Sequence, residues 1–312
     1  MNQPLPERNA PLWILSLMLL VSGNCALMFQ VVWIRELRLV FGATTASSAA
    51  VLAIFMAGLG LGNWLFGSRI DAAIRPLRCY GLLELGIALT AGISPFLLML
   101  VRQMYVNMGG QAALGPELAT LSRLAASAMI LAVPTILMGG TMPAAARAVS
   151  NAADPHRRGV ALIYGLNTIG AVVGAGIANF MLLEALGNRG VLWFACGINL
   201  LLAVSALLIS KRLSSSSESE TQTLTDLPQA VNHEQATLQQ ERLGIVCLAS
   251  GTVGFVFFLM EIVWYRMLGP LLGGTTYTFG LILCVALLGI GIGGALYAIL
   301  ARLVKPTLSL LA

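Results

Sequence analysis

Residues 23–62 read GNCALMFQVVWIRELRLVFGATTASSAAVLAIFMAGLGLG, and residues 254–293 read GFVFFLMEIVWYRMLGPLLGGTTYTFGLILCVALLGIGIG. Each stretch is two apolar runs joined by a Gly–x–Thr–Thr turn. Each run fits a membrane-crossing helix, which needs about 20 apolar residues. Shifted by 231 positions, the two stretches align without a gap. Gly23 falls on Gly254, Trp33 on Trp264, Arg35 on Arg266 and Gly42 on Gly273. Thr44 and Thr45 fall on Thr275 and Thr276, and Gly58, Gly60 and Gly62 fall on Gly289, Gly291 and Gly293. Over residues 23–67, 13 of 45 positions are identical, Trp and Arg among them, which apolar composition alone does not produce. Gln30 falls on Glu261. A unit that begins at the first apolar run thus begins again at the seventh, and transporter folds are commonly built from such repeats.

The rest of the chain extends the same pattern. Of 312 residues, 58% are hydrophobic and 10% charged, where a soluble domain carries charge at about 25% of positions. A mean hydropathy of +0.86 leaves too few polar side chains to cover a soluble surface. An ordinary cytosolic enzyme, a secreted domain and a nucleic-acid binder are excluded on that ground. Apolar runs over 11–34, 44–67, 79–101, 121–146, 159–184, 190–210, 243–268 and 275–303 give about eight candidate transmembrane helices. The expected fold is therefore an all-α, polytopic membrane helix bundle in the lipid bilayer. The first run is span-length and continues into Trp33–Ile34–Arg35, so it reads as an uncleaved helix rather than a signal peptide. Pro134 and Pro143 are expected to kink the fourth span, with Thr135 and Thr141 placed to satisfy the freed carbonyls.

Residues 213–241 break the pattern. They hold five acids and no Lys or Arg, with a Ser-rich opening, and read as a disordered acidic linker with a short helix near Glu234–Glu241. The chain divides into a six-helix half (1–212), the linker (213–241) and the start of a second half with two helices (242–312). With the N-terminus inside, the inner loops and span ends hold twelve Lys and Arg and the outer ones six. The excess places the N-terminus and the linker in the cytoplasm. The five Cys form no CxxC pair and, Cys79 apart, lie in apolar runs, so they read as free buried thiols. With two His and no His/Cys cluster, no metal site is expected.

Further motifs lie along the same runs. They are Ser22–Gly23, Phe29–Gln30–Val31–Val32–Trp33–Ile34–Arg35, Phe41–Gly42, Phe55–Met56–Ala57–Gly58–Leu59–Gly60–Leu61–Gly62 and Arg75–Pro76–Leu77. Pro134–Thr135, Met138–Gly139–Gly140–Thr141–Met142–Pro143 and Tyr164–Gly165–Leu166–Asn167–Thr168–Ile169–Gly170–Ala171 follow. As an ordered set they resemble the membrane region of bacterial fused major-facilitator/spermidine-synthase proteins, over nearly the whole chain except the linker. Gly67–x–x–x–Asp71 with Arg75 is similar to the major-facilitator loop between spans 2 and 3, although Ala72 stands where a basic residue is usual. The resemblance implies a multi-pass module of the bacterial inner membrane with a major-facilitator-like repeat whose second half is truncated. It also implies a soluble aminopropyltransferase domain behind the membrane region, as a further domain or a separate partner. No Gly-rich cofactor turn after a strand occurs in this chain. The chain is accordingly expected to be a membrane-only member or the front of a longer protein, without catalytic residues or a cofactor of its own. The resemblance implies that it binds or transports a small solute such as a cationic amine, or anchors a polyamine synthase domain. The rival reading is a purely structural scaffold, and a homo-oligomer is a further expected partner.

Ionisable groups inside spans are costly and are functional candidates by default. Glu84, within Leu82–Leu83–Glu84–Leu85, is either a cation or proton site or a helix–helix hydrogen-bond partner. Glu261 either binds a protonated amine or pairs with Arg35 or Arg266. Asn167 is a polar residue in the fifth run that binds solute or hydrogen-bonds a neighbouring helix. Trp33–x–Arg35 and Trp264–x–Arg266 read as interfacial Trp with snorkelling Arg, in a shared structural role. Asp71 with Arg69 and Arg75 is expected to form a charge network at the inner face, either biasing inward against outward states or simply setting topology.

Overall fold

The computed structural model describes residues 11–41, 45–149, 158–218, 233–273 and 276–303. Every regular element among them is helical: α1 (Leu12–Phe41), α2 (Thr45–Asp71), α3 (Pro76–Asn107), α4 (Gly110–Val149), α5 (Arg158–Ile177), a π-turn (Ala178–Leu182), α6 (Leu183–Glu218), α7 (His233–Leu272) and α8 (Thr276–Leu303). Among the described residues, six helical stretches are long and apolar enough to cross a membrane. One of them, Gly159–Ser214, has 56 residues and is broken at Gly187, whose φ of 67° is a left-handed conformation that glycine accepts without cost. The break falls where the sequence places a loop, between 184 and 190. A second left-handed glycine, Gly115 (φ 72°), sets a short lead-in turn apart from the main body of α4, with Pro116 fitting the first turn of the helix that follows. Bulky apolar side chains such as Trp13, Trp64, Met129, Leu201 and Leu271 stand exposed all round the bundle. That surface is at home in lipid and far exceeds the apolar patches a water-soluble protein carries. The chain is a multi-pass helical membrane protein.

Helix directions follow from which residues meet. Tyr80, Glu84 and Ser94 of α3 meet Met18, Ser22 and Trp33 of α1, so these helices run parallel. Gly170 and Gly174 of α5 lie on Leu20 and Asn24 of α1, also in parallel. Gly58 and Gly62 of α2 lie on Thr135 and Gly139 of α4 in the same sense. Gly86 and Gly140 set α3 against α4 in opposite directions, through Leu137 and Leu83. Gly81 and Gly92 oppose α3 and α6, through Leu207 and Cys196. Thr168, Gly176 and Asn179 meet Gly291, Cys284 and Gly280, so α5 and α8 are opposed. Thus α1, α3 and α5 run one way and α2, α4, α6 and α8 the other, as a chain does when it threads back and forth.

The ends of the linker differ from expectation. α6 continues to Glu218, and the helix expected near Glu234–Glu241 is present as the opening of α7, which begins at His233 and runs on unbroken instead of starting anew near 243. Ser214 contributes by returning its hydroxyl to the Ser210 carbonyl at 3.0 Å, and the Glu, Gln, Leu and Ala of 234–241 are good helix formers. The centre of the linker (219–232), the N-terminal ten residues and Lys305–Ala312 lie outside the described residues. In α4, Thr135 and Thr141 donate to the Leu131 and Met138 carbonyls, each at 2.7 Å. These are neighbours of the carbonyls that Pro134 and Pro143 leave unbonded.

The α1–α5 and α2–α4 contacts are set by backbone approach. A Cβ at Gly170 would collide with the Leu20 carbonyl, and one at Gly62 with the Ile136 carbonyl, while Gly60 meets nothing within 4 Å. Gly62→Leu or Gly170→Leu is expected to cost about 1–3 kcal/mol or more by prying helices apart, with Gly60→Leu near neutral. Melting temperatures of the three variants in detergent check this.

Candidate functional site

The first buried polar group sits between α1 and α3. Glu84 is fully buried, and Ser22 Oγ donates to its Oε1 at 2.6 Å. Tyr80, one turn earlier on α3, is also fully buried and lies at the long edge of hydrogen-bond range (3.5 Å) from the Met18 carbonyl. Glu84 Oε2 has no partner among the described residues. Of the two readings of Glu84, the geometry supplies the helix–helix hydrogen bond directly.

Further along the same interface, Trp33 faces the interior of the bundle rather than its outer surface. It is wholly buried, stacks on Phe29 with centroids 5.5 Å apart, and donates from Nε1 to Ser94 Oγ at 3.0 Å. The expected interfacial belt is therefore corrected at Trp33. Its repeat mate Trp264 is 38% exposed, so the shared position does not carry a shared environment.

The second buried carboxyl has no such support. Glu261 lies in α7 at 0% exposure, and neither Oε1 nor Oε2 has a hydrogen-bond partner among the described residues. Arg35 and Arg266 do not hydrogen-bond it, although the sequence offered both as ion-pair partners. One turn on, Tyr265 meets Phe279 of α8 edge to face at 5.7 Å, closing the apolar packing beside it. The repeat mate Gln30, on α1, is 1% exposed and its Nε2 also lacks a partner. The two halves thus keep a polar side chain, buried and unsatisfied, at the same register of the repeat. An ionised group at a helix centre costs about 2.5–3.5 kcal/mol on insertion scales.

The other expected site residues are dispersed. Asn167 is half-buried on α5, and its side chain and backbone fill the space beside Gly23 that a Cβ there would need. The Asp71 side chain is exposed, and α4 reaches that residue through its backbone carbonyl, which accepts from Arg147 Nε at 3.2 Å. Arg69 folds back onto the Leu65 carbonyl at 2.8 Å, and the buried Nε of Arg75 has no partner among the described residues. Among the cysteines Cys25 is buried, whereas Cys247 is exposed, so the expectation of buried thiols fails there. No cluster of metal-ligating side chains occurs among the described residues.

Sequence reading missed three polar contacts. Asn179 in the π-turn is buried, donates to the Ala175 carbonyl at 2.8 Å, and lies against Gly280 of α8. Asn188 donates to Glu36 Oε1 at 2.6 Å, and Tyr277 donates to Glu184 Oε1 at 3.0 Å, tying α6 to α8. The Gly187 bend that sets Glu184 and Asn188 apart was the available signal.

Ser22→Ala removes the donor to Glu84 and is expected to cost about 0.6–1.7 kcal/mol, the range for polar contacts between membrane helices. Glu84→Gln keeps an acceptor for Ser22 and is expected to cost less. Reversible unfolding in mixed micelles measures both. No family model, no curated protein and no solved structure matches this chain.

Proposed function

We propose that this chain is a multi-pass module of the bacterial inner membrane that binds or transports a small cationic amine, with Glu261 as the carboxyl that receives the ammonium group. The observation that carries the reading is the pair of buried, unpartnered oxygens of Glu261. An ammonium group supplies N–H donors and a positive charge together, which offsets the cost of holding a carboxylate inside a span. Glu84, held by Ser22, is a positioning group between α1 and α3.

The reading takes eight crossings, with the N-terminus and the linker in the cytoplasm. The alternating helix directions support the count. So does the length of Gly159–Ser214, about twice what one crossing needs. The Lys and Arg excess supports the orientation. The major-facilitator/spermidine-synthase resemblance and the restarted unit at α7 support a two-part bundle. In it Arg35, Arg266, Asp71 and Arg75 bias inward against outward states, and Asn167 packs α5 on α1. A second reading, a structural scaffold that anchors a polyamine synthase domain, is favoured by the closure of Glu84 within a helix contact.

Uptake of labelled spermidine into proteoliposomes containing the full chain separates the two readings. Under the solute reading, Glu261→Gln lowers uptake at least about tenfold with an unchanged melting temperature, and Glu84→Gln retains most of it. Wild-type uptake by the Glu261→Gln variant refutes the role of that carboxyl. Absence of both uptake and binding by the wild type leaves the scaffold.

A further inference from the structure

At the end of the bundle where the chain turns at Gly187, α1, α3 and α6 leave a pocket between them. Val32, Leu98 and Leu192 form its apolar wall beside Pro95, and Glu36, Asn188 and Arg189 form its polar rim. Two interruptions of the helices lie beside this space. Gly187 turns left-handed (φ 67°) one residue before Asn188. Pro95, inside α3, has no N–H for the carbonyl four residues back, that of Ala91, which accepts instead from the Ser94 hydroxyl at 2.6 Å. All three helices belong to the first half of the chain, so the pocket owes nothing to α7 or α8.

The pocket has a volume of about 10 Å³, which is room for about one water-sized group. Asn188 Nδ2 donates to Glu36 at Oε1. A carboxylate accepts through both of its oxygens, so Oε2 is left for a further donor. Arg189, on the same rim, is exposed, and a guanidinium matches the geometry of a phosphate. Beside the pocket the surface is aromatic. Phe96 and Trp193 follow Pro95 and Leu192 in the sequence, are 60% and 48% exposed, and lie with ring centroids 6.1 Å apart. Trp193 Nε1 donates to the Gly92 carbonyl at 3.4 Å, which ties α6 to α3 there. An exposed Trp near a span end belongs at the depth of lipid headgroups.

We propose that this pocket holds the headgroup of a phospholipid that carries a primary amine, with the ammonium on Glu36 Oε2, the phosphate on Arg189 and the acyl chains over Phe96 and Trp193. Charge, size and continuity each select that occupant. A carboxylate and a guanidinium on one rim complement the ammonium and the phosphate of one zwitterion. A primary ammonium is about the size of a water molecule and fits the space, whereas the trimethylammonium of choline is too large for it. The Phe96–Trp193 surface runs from the rim onto the lipid-facing side of α3 and α6, where a lipid covers it and a soluble amine does not. A headgroup with a phosphate and no amine leaves Glu36 Oε2 without a donor. The assignment stands apart from any solute bound at Glu261.

Native mass spectrometry of the full chain, titrated with phospholipids of identical acyl chains, tests the site. Phosphatidylethanolamine is expected to bind about tenfold more tightly than phosphatidylcholine, the factor that one hydrogen bond to a charged group supplies. Its mono- and dimethylated forms fall in order between the two. Glu36→Gln keeps an acceptor for Asn188, so the melting temperature holds while the binding of phosphatidylethanolamine drops to the phosphatidylcholine level. Arg189→Gln weakens both lipids alike and keeps their ratio. Phosphatidylethanolamine with brominated chains, at one lipid per chain, quenches tryptophan fluorescence, and Trp193→Phe removes most of that quenching. Equal binding of the four lipids by the wild type overturns the inference, whatever the variants do. So does a preference that survives Glu36→Gln, or quenching that Trp193→Phe leaves unchanged. Displacement of the lipid by soluble phosphoethanolamine at equal concentration assigns the site to a free solute and overturns it as well.

Discussion

Lipid removes the force that usually drives helices together. An apolar side chain gains nothing by leaving hydrocarbon for a neighbouring helix, so this bundle holds where backbones come close enough for dispersion and polar contacts to accumulate. Gly170 and Gly174 on α1, Gly62 and Gly139 between α2 and α4, and Gly23 beside Asn167 are those places. The helix directions, the burial of Trp33 and the position of Glu84 all follow from them. Were α5 held off α1, or α4 off α2, the aromatic packing of Phe29, Trp33 and Phe55 would open.

The same constraint makes each buried polar group informative. Hydrocarbon offers no water to satisfy an orphan, so a polar side chain inside the bundle either finds a protein partner or remains a cost. Trp33 with Ser94 and Asn179 with its own helix are solved cases, and Ser22 satisfies one of the two oxygens of Glu84. Among the described residues that keep an unpartnered buried polar atom, Glu261 and Gln30 share one register of the repeat. The first half resolves its close contacts internally, while the second presents open glycines and an unpaired carboxyl. The solute reading at Glu261 rests on that asymmetry.

Much of the architecture was legible before any coordinates. Apolar run length is a direct readout of span length, so the helices and the Gly187 break came from counting. Linker boundaries were less legible, because the Glu and Gln of 234–241 are polar in pattern and helical in preference at once, so the short helix expected there runs on into α7. Trp33 was misjudged for a related reason. A Trp followed by Arg at a span end has the composition of an interface belt, and only the arrival of Ser94 from α3 moves it inside. For Glu84 and Glu261 the sequence identified costly carboxyls in apolar runs without deciding which had a partner.

The sequence by itself determined the class of environment, the helices and the restart of the unit at α7. These depend on transfer energies and on periodicity along the chain, which are local. Tertiary structure alone decided that Ser22 meets Glu84, that neither Arg35 nor Arg266 hydrogen-bonds Glu261, and that Gly58 and Gly62 are covered while Gly289 and Gly293 meet no described residue. Those outcomes depend on which helix faces which, and two stretches with the same glycine spacing differ there because α4 covers one and nothing among the described residues covers the other.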